Sequence, residues 1–206
     1  MTPQEFAVSA SVSPEELEDY QHWARLLRKW NSRINLVAPN SLADFWRRHA
    51  LDSAQIVSFI PENAEICADF GSGAGFPGLS VAIDAKHSER DRRVHLIESV
   101  GKKASFLRTV SRETSLEVIV HAERIEKIEP LSADIVTCRA FAPLDKILTL
   151  ASRHLVDGGS LVLLKGESVS AEIETAMQSW QFDAERHESL SDESGVVLVI
   201  SNVRAK

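Results

Sequence analysis

Cysteine is scarce: the 206 residues hold two, Cys67 and Cys138. Both lie inside apolar runs and far apart. That excludes a disulfide scaffold and a thiolate cluster, and it points to buried thiols in a reducing compartment. No apolar run approaches the roughly 18 residues that suggest a membrane span. The first ten residues, MTPQEFAVSA, lack the basic-then-apolar pattern of a secretion signal. A cytoplasmic location is therefore expected. Positive charge is also short, with 23 Lys and Arg against 30 Asp and Glu, a formal net charge of −7. A general nucleic-acid coat would be basic, so that class is disfavoured, although a local basic patch on an acidic body is not. Seven histidines are scattered without ligand spacing, so no metal site is expected.

What remains is ordinary globular material: 44% hydrophobic and 26% charged residues. That suits one domain with a modest extension. The first ten residues read as frayed. Ser13-Pro14-Glu15-Glu16 then opens a helix, with Ser13 as cap, Pro14 in the first turn and Glu16 closing a capping box. Leu17, Tyr20, Ala24 and Leu27 give it one apolar face. A second helical stretch runs from Ser41 to about Ile60 and breaks at Pro61. Residues 1–63 read as a helical cap and residues 64–206 as a core.

In that core, short apolar runs alternate with amphipathic stretches. Strands are predicted at Ile66–Phe70, Val94–Ile97, Val118–Val120, Ile135–Cys138, Leu161–Leu164 and Val196–Ile200. Helices are predicted at Pro77–Ile83, Lys102–Glu113 and Leu144–Leu155. The alternation specifies an α/β fold, with a parallel sheet covered by helices on both faces.

Between the first strand and its helix lies Asp69-Phe70-Gly71-Ser72-Gly73-Ala74-Gly75-Phe76-Pro77-Gly78. Glycines there allow a tight turn and the close approach of a ligand to the backbone. Gly73, Gly75 and Gly78 match the dinucleotide fingerprint, and Glu98, 20 residues on, could hold a ribose. NAD is thus one reading. Asp69 favours the other, because a carboxylate beside the loop repels a pyrophosphate but attracts an ammonium and a sulfonium. Gly71 completes the acid-x-G-x-G-x-G order of enzymes that bind S-adenosyl-L-methionine. In both readings Glu98 accepts from the ribose hydroxyls. A small-molecule methyltransferase and a non-enzymatic RNA-binding assembly factor also remain open.

Further blocks carry a more specific resemblance. Trp30-Asn31-x-x-Ile34-Asn35-Leu36, His49-x-x-Asp52-Ser53 and Gly71 to Gly78 come first. Leu96-Ile97-Glu98-Ser99, Lys102-Lys103, Phe106-Leu107, Arg124-Ile125-Glu126, Cys138-Arg139-Ala140-Phe141-Ala142 and Lys165-Gly166 follow in order. Together they resemble the bacterial small-subunit ribosomal RNA guanine-N7 methyltransferases, the glucose-inhibited division protein B family. Cys138, where serine is common, and Leu79-Ser80, in place of isoleucine-proline, are departures.

The resemblance implies a Rossmann-like class I methyltransferase fold with a mostly parallel seven-stranded sheet and an N-terminal helical cap. It implies methyl transfer from S-adenosyl-L-methionine to N7 of a guanine in 16S ribosomal RNA; the acidic net charge of −7 leads us to expect a structured or partly assembled small subunit over free RNA. A monomer is expected. Gly71, Gly73, Gly75 and Phe76 would hold the cofactor, with Ile125 and Glu126 against the adenine and Arg139 facing both cofactor and base. Arg47, Arg48, Lys102, Lys103 and Lys165 are the candidates for RNA contact. Phe76 and Phe141 could stack on the base or line the pocket, and His49 reads first as a core residue. Guanine N7 carries a free lone pair, so no general base is assigned and alignment is the task.

Overall fold

The computed structural model describes residues 1–88 and 90–206. Seven strands form one sheet: β1 (Ile66–Phe70), β2 (Arg93–Ile97), β3 (Val118–His121), β4 (Ala133–Arg139), β5 (Leu155–Lys165), β6 (Trp180–Glu188) and β7 (Val196–Ala205). Their order is β3-β2-β1-β4-β5-β7-β6. The first five run parallel, and β7 is antiparallel to both its neighbours. The order reverses between β1 and β4, which opens a crevice at their carboxyl ends, the usual ligand position in such sheets. The sequence reading marks six strands. It passes over β6 because Trp180–Glu188 is mostly exposed and rich in charge, with Phe182 its single buried residue. Charged side chains suit an edge strand, since they discourage pairing with another chain.

Helices α1 (Pro3–Ser9), α2 (Pro14–Asn31), α3 (Pro39–Leu42) and α4 (Asp52–Ala54) precede the sheet. Helices α5 (Gly78–His87) and α6 (Gly101–Thr114) pack with them on one face, and α7 (Leu144–Ala151) and α8 (Val169–Ala176) cover the other. The cap helices and the sheet share one apolar core, in which Phe6, Trp23 and Leu27 join Leu79, Leu96 and Phe106. Asp19 on α2 accepts from Lys86 and His87 on α5, both at 2.8 Å.

Two cap expectations change. The first ten residues are ordered. Thr2 and Glu5 form the same capping box that Ser13 and Glu16 form for α2. A helix of seven residues is unstable alone. Phe6 anchors it, fully buried against Tyr20 at 4.8 Å and Trp46 at 5.4 Å. The second helical stretch is not continuous either. After α3 it widens into a π turn, Trp46–Leu51, passes through α4, and tightens to a 3-10 turn, Gln55–Phe59. The π turn leaves Arg47 and Arg48 exposed and His49 buried.

Candidate functional site

Strand alternation sorts the site before any side chain is considered. Cys67 of β1 belongs to the core on the cap side, and Ala68 and Phe70 to the core on the other. Asp69 therefore points toward the cap side, as do Thr137 and Arg139 of β4. Lys165, at the end of β5, points the opposite way and meets α8.

The loop after β1 is shaped by its backbone. Gly71, Gly73 and Gly75 have φ of +69°, +56° and +102°, values that L side chains resist. A Cβ on Gly75 would strike Leu79, and one on Gly71 would strike the ring of Phe141. At Gly73 the nearest obstacle is the Gly71 carbonyl at 3.7 Å, so the lip of the loop faces open space. Ser72 fastens the turn: its amide donates to Ile97 at 2.9 Å and its hydroxyl to the Asp69 carbonyl at 2.9 Å. Glu98 follows β2 and is 7% exposed. It accepts from the Gly73 amide at 3.0 Å and the Val100 amide at 2.7 Å. Loop and acid are thus one rigid unit. Beyond β3, Ile125 is buried in a 3-10 turn, and Glu126 beside it is exposed.

Asp69 sits beneath this unit and does not open onto the crevice, being 1% exposed. Thr137 donates to its Oδ1 at 2.9 Å, and among the described residues its Oδ2 meets no donor in good hydrogen-bond geometry. Gly78, opening α5, is held so close that an added Cβ would lie 2.7 Å from that Oδ2. Burial pushes the Asp69 carboxyl up to about 6. The sequence reading placed this acid against a ligand cation. The structure places it one layer below, supporting the loop and setting a negative field under it.

Arg139 ends β4 and is held by three hydrogen bonds. Its Nη1 donates to the Arg48 carbonyl and to Asp52 Oδ2, both at 3.0 Å. Its Nη2 donates to His49 Nδ1 at 3.0 Å. The guanidinium lies 4.5 Å over the ring of Phe76. Phe76 is itself stacked on Trp23 at 4.6 Å and His49 at 4.7 Å, and is 4% exposed. It is enclosed, so it serves the loop and is no platform for a base. Phe141, half-buried over Gly71, is better placed for stacking.

A cavity of about 710 Å³ opens beside the loop, at the carboxyl ends of β4 and β5. Arg139, Phe141, Lys165 and Asp52 line it, with Asp192 and Ser194 of the β6–β7 connection at its rim. Lys165 is committed elsewhere than the sequence implies. It donates to Glu172 at 2.7 Å and to the Ala142 carbonyl at 3.0 Å, and its side chain is 8% exposed. Burial works to raise the Glu172 carboxyl, but the bond from Lys165 and its other donors bring it below the ordinary value. Arg47, Arg48 and Lys102 remain exposed and Lys103 half-buried. Sequence reasoning missed Asp52 as a partner of Arg139 and ranked His49 as core. The signal was their i, i+3 spacing, which a π turn disguises.

A family model described as rRNA small subunit methyltransferase G (GidB) matches residues 16–196. Two proteins named ribosomal RNA small subunit methyltransferase G are close relatives. The one from Paramagnetospirillum magneticum is 44% identical over 98% of this chain and 97% of its own. That from Rhodospirillum rubrum is 42% identical over 98% of each. Among solved structures, M. jannaschii TYW2 in complex with AdoMet has a TM-score of 0.57 at 16% identity, covering 85% of this chain and 80% of that one. A SAM dependent methyltransferase from Aquifex aeolicus has a TM-score of 0.59 at 13% identity, covering 80% and 98%. These two likenesses show the shared fold. With nine-tenths of its length matched and the loop, acid and arginine in place, the chain belongs to the rRNA small subunit methyltransferase G (GidB) family.

Proposed function

We propose that the protein transfers a methyl group from S-adenosyl-L-methionine to N7 of a guanine in 16S ribosomal RNA. The observation that carries this is the lip at Gly73, which leaves room for a ligand beside Glu98 at the sheet's switch point. The residues fit the cofactor. Glu98 offers carboxylate lone pairs to a ribose diol, and Ile125 offers an apolar surface to a purine. The loop backbone approaches without side chains, and the Asp69 field below it favours a cation over a pyrophosphate. When bound, the cofactor supplies an electrophilic methyl group on a sulfonium.

The protein's own part is alignment. The carboxylates on the inner cavity wall are already committed, Asp52 to Arg139 and Glu172 to Lys165. A nucleophile that must lose a proton would find no free base in them. Guanine N7 needs none, and gains most from being held about 3–3.5 Å from the transferred carbon. Phe141 can stack on the base while Arg139 closes the side toward Phe76. Arg47, Arg48, Lys102 and Lys103 border the same end of the sheet and would meet phosphates. The chain as a whole carries a net charge of −7. That favours a structured or partly assembled small subunit, met by a cytoplasmic monomer, over free RNA. No helix of the described residues is long and apolar enough to cross a membrane.

Nucleoside mass spectrometry of 16S ribosomal RNA, with and without the gene, tests the reading. Loss of one 7-methylguanosine on deletion, restored by the gene, is expected. Unchanged 7-methylguanosine in the deletion strain would refute it.

A further inference from the structure

The site holds its one central cation in an unusual way. An arginine at a strand end is ordinarily free to swing, and ordering it has an entropic cost. Here three acceptors from one short segment fix Arg139: the Arg48 carbonyl, His49 Nδ1 and Asp52 Oδ2, each at 3.0 Å. The acceptors are themselves fixed. Because His49 Nδ1 accepts from the guanidinium, its proton is on Nε2, which donates to Ser41 Oγ at 3.0 Å. Ser41 passes the chain on to the Ala38 carbonyl at 2.8 Å. Asp52 Oδ1 accepts from Ser191 at 2.7 Å and Gln55 at 3.2 Å. Through Ser191, the connection at the cavity rim is tied to the same carboxylate. Arg47 adds a second tie, donating to the Ser191 carbonyl at 2.9 Å.

We propose that His49 and Asp52 are positioning residues for methyl transfer, holding the Arg139 guanidinium over Phe76 so that the cofactor loop and the cavity keep one fixed separation. The proposal rests on the methyltransferase reading above and adds to it two residues that act through Arg139. Three features support it. Both groups that cover Phe76 from this side belong to the network, the Arg139 guanidinium at 4.5 Å and the His49 ring at 4.7 Å. Burial first, then the charges of Arg139 and Arg48, push the His49 imidazole down to about 3, so it stays neutral and able to accept. The two acceptors also differ in charge. Asp52 neutralises the guanidinium, and His49 fixes its plane.

The test compares His49→Leu, which removes the acceptor, with His49→Asn, whose amide oxygen can stand where Nδ1 stands. Substrates are labelled S-adenosyl-L-methionine and small ribosomal subunits from a strain lacking the gene. His49→Leu is expected to lower turnover about 10-fold or more, with KM for subunits within about 2-fold, since positioning acts on the reacting geometry. His49→Asn is expected to recover most of the rate. Arg139→Ala combined with His49→Leu should be no slower than Arg139→Ala alone, because His49 then has nothing to hold. A second readout needs no activity. The Arg139 guanidinium should give resolved, slowly exchanging ¹⁵N signals in the parent and in His49→Asn, and lose them in His49→Leu. Multiplied rate losses in the double variant, no rescue by asparagine, or guanidinium signals that persist in His49→Leu would each overturn the proposal. A parent enzyme that methylates no subunit RNA would instead overturn the methyltransferase reading, with the ¹⁵N signals still deciding whether His49 holds Arg139.

Discussion

The two halves of the site are built from different materials. The cofactor half is backbone: three left-handed glycines, a serine turn and two amides on Glu98. Its parts lie within one loop and the next strand end. The substrate half is made of side-chain pairs joining distant stretches, such as Arg139 with Asp52, 87 residues apart, and Ser191 with Asp52, 139 apart. A backbone cradle tolerates almost no change of residue but needs no partner. A side-chain cradle depends on every partner, so losing one member weakens the whole set.

The largest expected effect falls on the backbone half. Gly75→Ala would put a side chain at φ +102° and drive it into Leu79, with Trp23 3.1 Å away. The left-handed cost of roughly 1–2 kcal/mol and overpacking of roughly 1–3 kcal/mol sum to about 2–5 kcal/mol. Urea denaturation should show it, with loss of cofactor binding. An unmoved midpoint would mean that the loop is softer than a backbone cradle should be.

Arg139→Lys keeps the charge but cannot span three acceptors and cover Phe76. Turnover on small subunits should fall about 100-fold while the urea midpoint moves little, roughly 2 kcal/mol in the rate barrier per 30-fold. Retained activity would show that charge alone suffices and that the set is not a set.

Asp69 lies between the halves and sharpens the contrast through pH. Its folded-state carboxyl, at about 6, stands above the ordinary 3.8 of the unfolded chain. Between these values the native state binds the extra proton, so its stability falls as pH rises toward about 6 and the penalty persists above. Asp69→Asn should remove that slope from the ligand-free protein, as followed by thermal unfolding from about pH 4 to pH 8. An identical pH dependence in both proteins would place the ionised carboxylate at no disadvantage.

The smallest effect belongs to the rim. Lys102→Ala should weaken RNA binding uniformly and lower the slope of log affinity against log salt by about 1. A sequence-selective loss would instead assign this exposed lysine to base contact.

The same contrast explains what was legible in the sequence. Glycines at 71, 73 and 75 reveal their loop because few other residues adopt those angles, and Glu98 follows at a fixed strand end. Six of seven strands show as apolar runs; β6 does not, because an edge strand spends its pattern on charge. The capping box at Thr2 follows the same hydroxyl-Pro-x-Glu pattern as that at Ser13, so α1 was readable, and its anchor Phe6 explains why it is not frayed. Pairings such as Lys165 with Glu172 were not readable. A lysine at a strand end looks the same whether it waits for a phosphate or is already paired, and only the packing of α8 decides.

The π turn at Trp46–Leu51 has a consequence for chain length. A wider turn accommodates a residue that an α-helix would not, and each residue advances the helical phase by about 100°. With that extra residue, exposed Arg47 and Arg48 face outward while His49 and Asp52 reach inward to Arg139. Deleting a single residue here would leave every important side chain present and turn one group away from the other. The turn acts as the phase-setter between the surface that would meet RNA and the chemistry beneath it.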